Sequence, residues 1–98
     1  MDNQIVFKEY IIEWDEQKNA INIIKHGISF NTAALVFGDS NRIEIPDELH
    51  SKDEIRYKII GRVGDKKIIL VVCTDRDNII RIISARKATK TERRLYYD

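Results

Sequence analysis

A chain of 98 residues, 43% hydrophobic and 34% charged, makes one domain over residues 1–98 and is neither disordered nor membrane-embedded. Its longest apolar run, Ile68 to Cys73, falls far short of the roughly 20 residues that a transmembrane helix needs, and Met1-Asp2-Asn3-Gln4 has neither a basic start nor an apolar export core. The net charge of +1 hides an asymmetry: residues 1–75 hold ten Lys/Arg against thirteen Asp/Glu, and residues 76–98 hold seven against three. A basic end on a near-neutral chain can localise a polyanion without making the whole surface sticky. The lone cysteine, Cys73, lies inside the apolar run and reads as a small buried hydrophobe. A soluble cytoplasmic protein is expected.

In chain order, Ile5-Val6-Phe7 and Tyr10-Ile11-Ile12 are β-rich, so the first thirteen residues are expected to contain a strand leading to Trp14, a core anchor. Asp15 is a good N-cap for a helix running to about Lys25, with Gly27 as its stop. Ala20, Ile21 and Ile24, with Gln17 one turn earlier, form its expected apolar stripe; Asp15, Lys18, Asn22 and Lys25 or His26 fall on another face. A second helix is expected from about Asn31 to Phe37, capped by Ser29 or Asn31 and burying Phe30, Ala33, Ala34 and Phe37. Gly38-Asp39-Ser40-Asn41 is turn chemistry.

Thereafter the period changes. Arg42 to Ile45 reads as a short strand broken at Pro46, and Asp47 to Asp53 as a loop. Arg56–Val63, Lys67–Thr74 and Ile79–Ala85 are three β-rich runs joined by short turns, which predicts antiparallel hairpins. The middle run is apolar on both faces and is expected at the sheet interior. A last helix, from about Thr89 to Tyr97, closes an order β-α-α-β-β-β-β-α. The expected class is α+β: an antiparallel sheet with two N-terminal helices and one C-terminal helix.

The sequence has no Cys/His metal cluster, no phosphate-binding glycine loop and no Gly-x-Ser-x-Gly turn, so no metal or cofactor is expected. A surplus of arginine with two histidines and scattered carboxylates suits metal-free RNA cleavage. There the ribose 2′-OH attacks its own phosphodiester, so the enzyme supplies a base, an acid and cations for the developing phosphorane charge. Arginine meets phosphate oxygens with a planar fork of donors. On the last strand, simple alternation puts Arg81, Ile83 and Ala85 on one side and Ile80, Ile82, Ser84 and Arg86 on the other. Arg56 and Lys58 share a side of their own strand, and an open sheet face carrying Arg56, Arg81 or Arg86 would make a polyanion cradle. Each of these arginines also has a bland reading, an ion pair to Glu54, Asp75 or Glu92. His26 can simply complement a helix C-terminus, His50 can be a passive loop residue, and Tyr96 can pack on the sheet.

Three ordered blocks resemble the BrnT toxin family. They are Ile12-Glu13-Trp14-Asp15 with Lys18, Asn22 and Lys25-His26-Gly27-Ile28-Ser29-Phe30; then His50-Ser51, Glu54, Arg56 and Gly61; then Arg81-Ile82-Ile83-Ser84-Ala85-Arg86-Lys87-Ala88 with Glu92, Arg93 and Tyr96. Ile12 stands where many members carry an aromatic residue, and about eleven residues precede the first block, which implies an extra or longer edge strand. The resemblance implies a ribonuclease toxin of a type II toxin–antitoxin pair with a RelE-like fold. The implied partner is BrnA, a DNA-binding antitoxin whose dimer holds two toxin subunits. Chemistry applied to the motif positions gives Arg81, Arg86 and Arg56 as phosphate and transition-state cations, and Glu54 or His50 as base. Tyr96 or a histidine is the acid, and Lys25, His26, Lys87 and Arg93 are further RNA contacts. The alternatives are a non-catalytic nucleic-acid-binding module and a protein-interaction domain.

Overall fold

The computed structural model describes residues 2–50 and 54–98, without the side chain of His50. Its strands are β1 (Asp2–Phe7), β2 (Tyr10–Asp15), β3 (Ile43–Pro46), β4 (Arg56–Val63), β5 (Lys67–Arg76) and β6 (Ile79–Lys87). Its helices are α1 (Glu16–His26), α2 (Phe30–Ala33) and α3 (Lys90–Tyr97), with short 3₁₀ turns at Ala34–Gly38 and Glu48–His50. The six strands form one sheet in the order β1-β2-β6-β5-β4-β3.

The sheet is mixed, not antiparallel as expected: β2 runs parallel to β6, pairing Ile11 with Ile79 and Glu13 with Arg81. A parallel pair needs a long connection, and everything from α1 to β5 supplies it. The first strand is in fact a hairpin, with β1 antiparallel to β2 and Lys8 at φ 58° in its turn. β5 lies between β4 and β6, so Lys67–Thr74 is interior as its two-sided apolar run predicts. The β5–β6 turn has φ 53° at Asp77 and 67° at Asn78, the mirror-image geometry that twists correctly into a two-residue hairpin.

Two cores flank the sheet. Ile59, Ile69, Val71, Cys73, Ile82 and Ala85 pack with Ile12, Trp14, Phe30, Ala33, Val36 and Phe37 on one face. Ile60, Ile68 and Leu70 pack with Tyr96 of α3 on the other. Gly61 permits close approach on the first face, since a Cβ there would stand 3.2 Å from Val36 Cβ. The expected second helix is only one α-turn before it tightens into 3₁₀, yet its stripe of Phe30, Ala33, Ala34 and Phe37 is buried as read. Ser29 caps it, accepting from Thr32 N–H at 3.1 Å.

α1 begins and ends as expected. The Asp15 carboxylate accepts from Lys18 N–H at 3.3 Å, and Gly27, at φ 72°, donates to the Ile23 carbonyl at 2.8 Å. Its orientation is the reverse of the expected one. Asn19 and Asn22 are the buried residues, and the Ala20, Ile21 and Ile24 stripe is exposed. The reason is backbone hydrogen bonding. β2 leaves β6 after Arg81, and Asn22 takes over as a surrogate strand partner. Its Oδ1 accepts from Ala85 N–H at 3.1 Å, and its Nδ2 donates to the Ala85 and Ile28 carbonyls at 2.8 and 2.9 Å. Asn19 Oδ1 accepts from Phe30 N–H at 2.8 Å. Unpaired buried backbone groups are costly, so carboxamides win the inner face over isoleucines.

Candidate active site

The site is set by one irregularity. Val72 of β5 pairs with Ser84, but Cys73 pairs with Ile82, so β6 spends one extra residue, Ile83, in a bulge. The bulge changes the phase of the strand. Arg81 pairs with Thr74, Ser84 with Val72 and Arg86 with Leu70, which puts all three on the same face; Ile80, Ile82 and Ala85 turn to the Trp14 core. Simple alternation, which separated Arg81 from Arg86 and grouped Ala85 with Arg81, is corrected here. On β4, Arg56 pairs with Thr74 and Lys58 with Val72, so both join that face. Arg56, Thr74, Arg81 and Glu13 form one row across β4, β5, β6 and β2. At a strand spacing of about 4.8 Å, the Arg56 and Arg81 backbones stand ~10 Å apart. Leu70, Ile60 and Arg86 form another row, ~13 Å away along the strands and next to α3.

The two ends differ chemically. At the near end a cavity of about 230 Å³ is lined by Glu13, Arg76, Asp77, Ile79 and Arg81. Arg81 reaches Glu13 at 2.6 Å and Asp2 at 3.2 Å. The Asp2 and then the Glu13 hydrogen bonds raise the Arg81 pKa further, and Arg81 in turn lowers that of Asp2. Glu54 accepts from Arg76 at 2.6 and 2.9 Å, both side chains partly open to solvent. Exposed pairs of this kind are worth only about 0–1 kcal/mol, so the Arg76–Glu54 pair can exchange for a phosphate. Arg76 and Glu13 were missed by sequence reasoning. The strand phase, two residues on from Thr74, carried the signal for Arg76, but Glu13 depends on the β2–β6 register.

At the far end Arg86 donates both prongs to Glu92, at 2.8 and 3.0 Å, and a third bond to the Lys87 carbonyl at 3.1 Å. Glu92 also closes a capping box with Thr89, accepting from its N–H at 2.8 Å and donating its own N–H to the hydroxyl at 3.2 Å. The Arg86 bond, helped by the Thr89 N–H, holds the Glu92 pKa below its usual value against the effect of burial. Tyr96 packs on the second core, and its hydroxyl donates to Asp39 at 2.6 Å. Burial and then the Asp39 carboxylate push the Tyr96 pKa up to about 12. Lys25 and His26 are exposed in the last turn of α1, one turn beyond Asn22; Lys87 and Arg93 are exposed at the end of β6 and on α3. The structure therefore gathers Arg56, Glu54 and Arg81 at one end of the face. It does not bring Arg86 or Tyr96 to them. His50 as a base lies outside the described side chains, as do Ser51, Lys52 and Asp53. Among the described residues, no group of three His, Cys, Asp or Glu could hold a metal ion.

Such a fold and face define a small α+β protein with an open sheet surface of forked cations beside carboxylates, suited to handling a phosphodiester. Residues 14–92 match the family described as ribonuclease toxin, BrnT, of type II toxin–antitoxin systems, and the chain belongs to that family. It is similar to the 1.1 Å crystal structure of the Brucella abortus ribonuclease toxin BrnT, with 28% identity and a TM-score of 0.61 over 79% of this chain and 94% of that one. No curated protein matches it significantly. Among the described residues, no helix is long and apolar enough to cross a membrane.

Proposed function

We propose that this family member is a metal-independent endoribonuclease that cuts cytoplasmic RNA and stops growth, and that a BrnA-like DNA-binding antitoxin neutralises it, two toxins to one antitoxin dimer. Kinship with the RelE-like ribonucleases belongs to the same reading. The observation that carries it is the row of Arg56, Thr74, Arg81 and Glu13 across four strands, with the Arg76–Glu54 pair at the same end of that face.

In the proposed reaction, Arg81 and Arg56 hold the scissile phosphate, with Arg76 alongside once Glu54 lets go. Glu54, freed from Arg76, accepts the 2′-OH proton; the 2′-oxygen attacks phosphorus, and the 5′-oxygen leaves with a proton. The leaving products are a 2′,3′-cyclic phosphate and a 5′-hydroxyl. A histidine, His50 or His26, serves as the acid, because the Tyr96 hydroxyl is committed to Asp39. Arg86 supports the face from its far end, where Lys25, His26, Lys87 and Arg93 would contact flanking RNA.

The test is RNA cleavage by the purified chain in excess EDTA, paired with induction of the chain alone in cells. Cleavage and growth arrest are expected. Salt-sensitive RNA binding without cleavage would mean a nucleic-acid-binding module instead.

A further inference from the structure

An amphipathic helix on a globular domain turns its apolar stripe inward. α1 does the opposite. At 100° per residue, Gln17, Ala20, Ile21 and Ile24 share one face at the i, i+3, i+4, i+7 spacing, and Asn19 and Asn22 lie opposite. Ile21 is 61% and Ile24 87% exposed, with Ile23 at 43% beside them. The inversion is not looseness, because Asn22 and Asn19 lock the inner face by four hydrogen bonds to Ala85, Ile28 and Phe30. Nothing in the fold can rotate the stripe inward without breaking them.

The stripe spans ~10 Å, two helical turns, which fits the anchor spacing of a partner helix. Lys18 and Lys25, both exposed, run along its Ile21 edge. We propose that the outward face of α1 is the docking site for an amphipathic helix with an acidic flank, contributed by the antitoxin. The proposal rests on the toxin–antitoxin reading and names where the partner holds on. The basic flank selects against a second copy of this chain: an antiparallel self-pair related by a twofold axis lays Lys18 and Lys25 of one copy beside those of the other. An acidic-flanked helix satisfies both the stripe and the lysines. The docking residues are separate from Arg56, Arg76 and Arg81 but share Lys25 with the proposed flanking-RNA contacts, so a bound partner would compete with RNA at that end while leaving the phosphate site itself uncovered.

The probe is the purified product of the reading frame adjacent to this one, titrated calorimetrically against the full-length chain. Ile21→Asp with Ile24→Asp is expected to weaken binding at least 100-fold while leaving melting temperature and RNA cleavage unchanged. Lys18→Glu is expected to weaken it about tenfold at low salt and less at high salt. Arg81→Ala is expected to leave it intact. Full affinity in the double Asp variant overturns the proposal, as does loss of binding in Arg81→Ala. A wild-type dimer that the double variant dissolves overturns it in favour of a second copy. A wild-type chain that cuts RNA but ignores the probe overturns the docking proposal alone, whereas failure to cut RNA overturns the enzymatic reading.

Discussion

Arg81 and Arg86 stand on one face of one strand, yet their surroundings assign them different work. Arg81 lines the 230 Å³ cavity, where it holds one open carboxylate, Asp2 at 59% exposed, and one nearly as covered as Glu92, Glu13 at 23%. Removing a cation that acts on the transition state costs on the order of 3 kcal/mol, about 10²-fold in rate. Arg86 is tied through Glu92 to the capping box of α3, and the Glu92 side chain is only 18% exposed. Its loss strips a charge-assisted pair from the start of that helix, worth about 1–2 kcal/mol after allowing for partial exposure. For a domain of this size that lowers the melting temperature by roughly 5–15 °C. Arg81→Ala, which strips the partly covered Glu13 pair, should melt lower by a comparable margin and, at a temperature where it is folded, cleave about 100-fold more slowly. Arg86→Ala should melt lower and, at a temperature where it is folded, cleave within about threefold of wild type. Single-turnover cleavage of a labelled RNA and thermal melts on the same preparations decide it. Equal activity losses in the folded variants would refute the division, and near-normal cleavage in Arg81→Ala would move the site elsewhere.

Asn22→Ala leaves the Ala85 N–H and the Ala85 and Ile28 carbonyls without their partner, a loss of about 2–4 kcal/mol readable by urea denaturation. Asn22→Leu should rescue nothing, because the inner face needs donors and an acceptor rather than apolar volume. Burial alone would raise the Asp39 pKa, but hydrogen bonds from the Tyr96 hydroxyl and the Arg62 and Asn41 N–H groups outweigh it and hold it below the usual carboxylate value. A depressed folded-state pKa gives stability that is present above the unfolded value and lost as pH falls through the folded one. Melting curves below about pH 4 should accordingly fall less steeply for Asp39→Asn than for wild type. Burial pushes the Cys73 thiol up to about 12, so a disulfide-exchange reagent at pH 8 should label it only on unfolding.

What the sequence made legible was local. Asp15 and Ser29 as caps, Gly27 as a stop and Thr89 as the start of the last helix are short-range chemistry, and each stands where it was read. The interior position of β5 followed from its two-sided apolar run. The parallel β2–β6 pairing was not legible, because it joins residues almost seventy apart with no local mark. Neither was the phase of α1, since the stripe of isoleucines is the stronger pattern and the unpaired backbone of Ala85 exists only once the sheet is formed. The arginines were legible as residue types, and their convergence was not: five positions apart, Arg81 and Arg86 share a face only through the extra residue at Ile83.

The central claim is that this chain makes RNA attack itself, with Arg81 steadying the phosphate and no metal in the reaction. The most direct measurement compares an RNA oligonucleotide with its fully 2′-O-methylated counterpart in excess EDTA, reading both cleavage and the new ends. The account predicts cleavage of the RNA alone, with 5′-hydroxyl and 2′,3′-cyclic phosphate ends. Cleavage of the methylated strand, or activity that vanishes in EDTA and returns with added Mg²⁺, would contradict it.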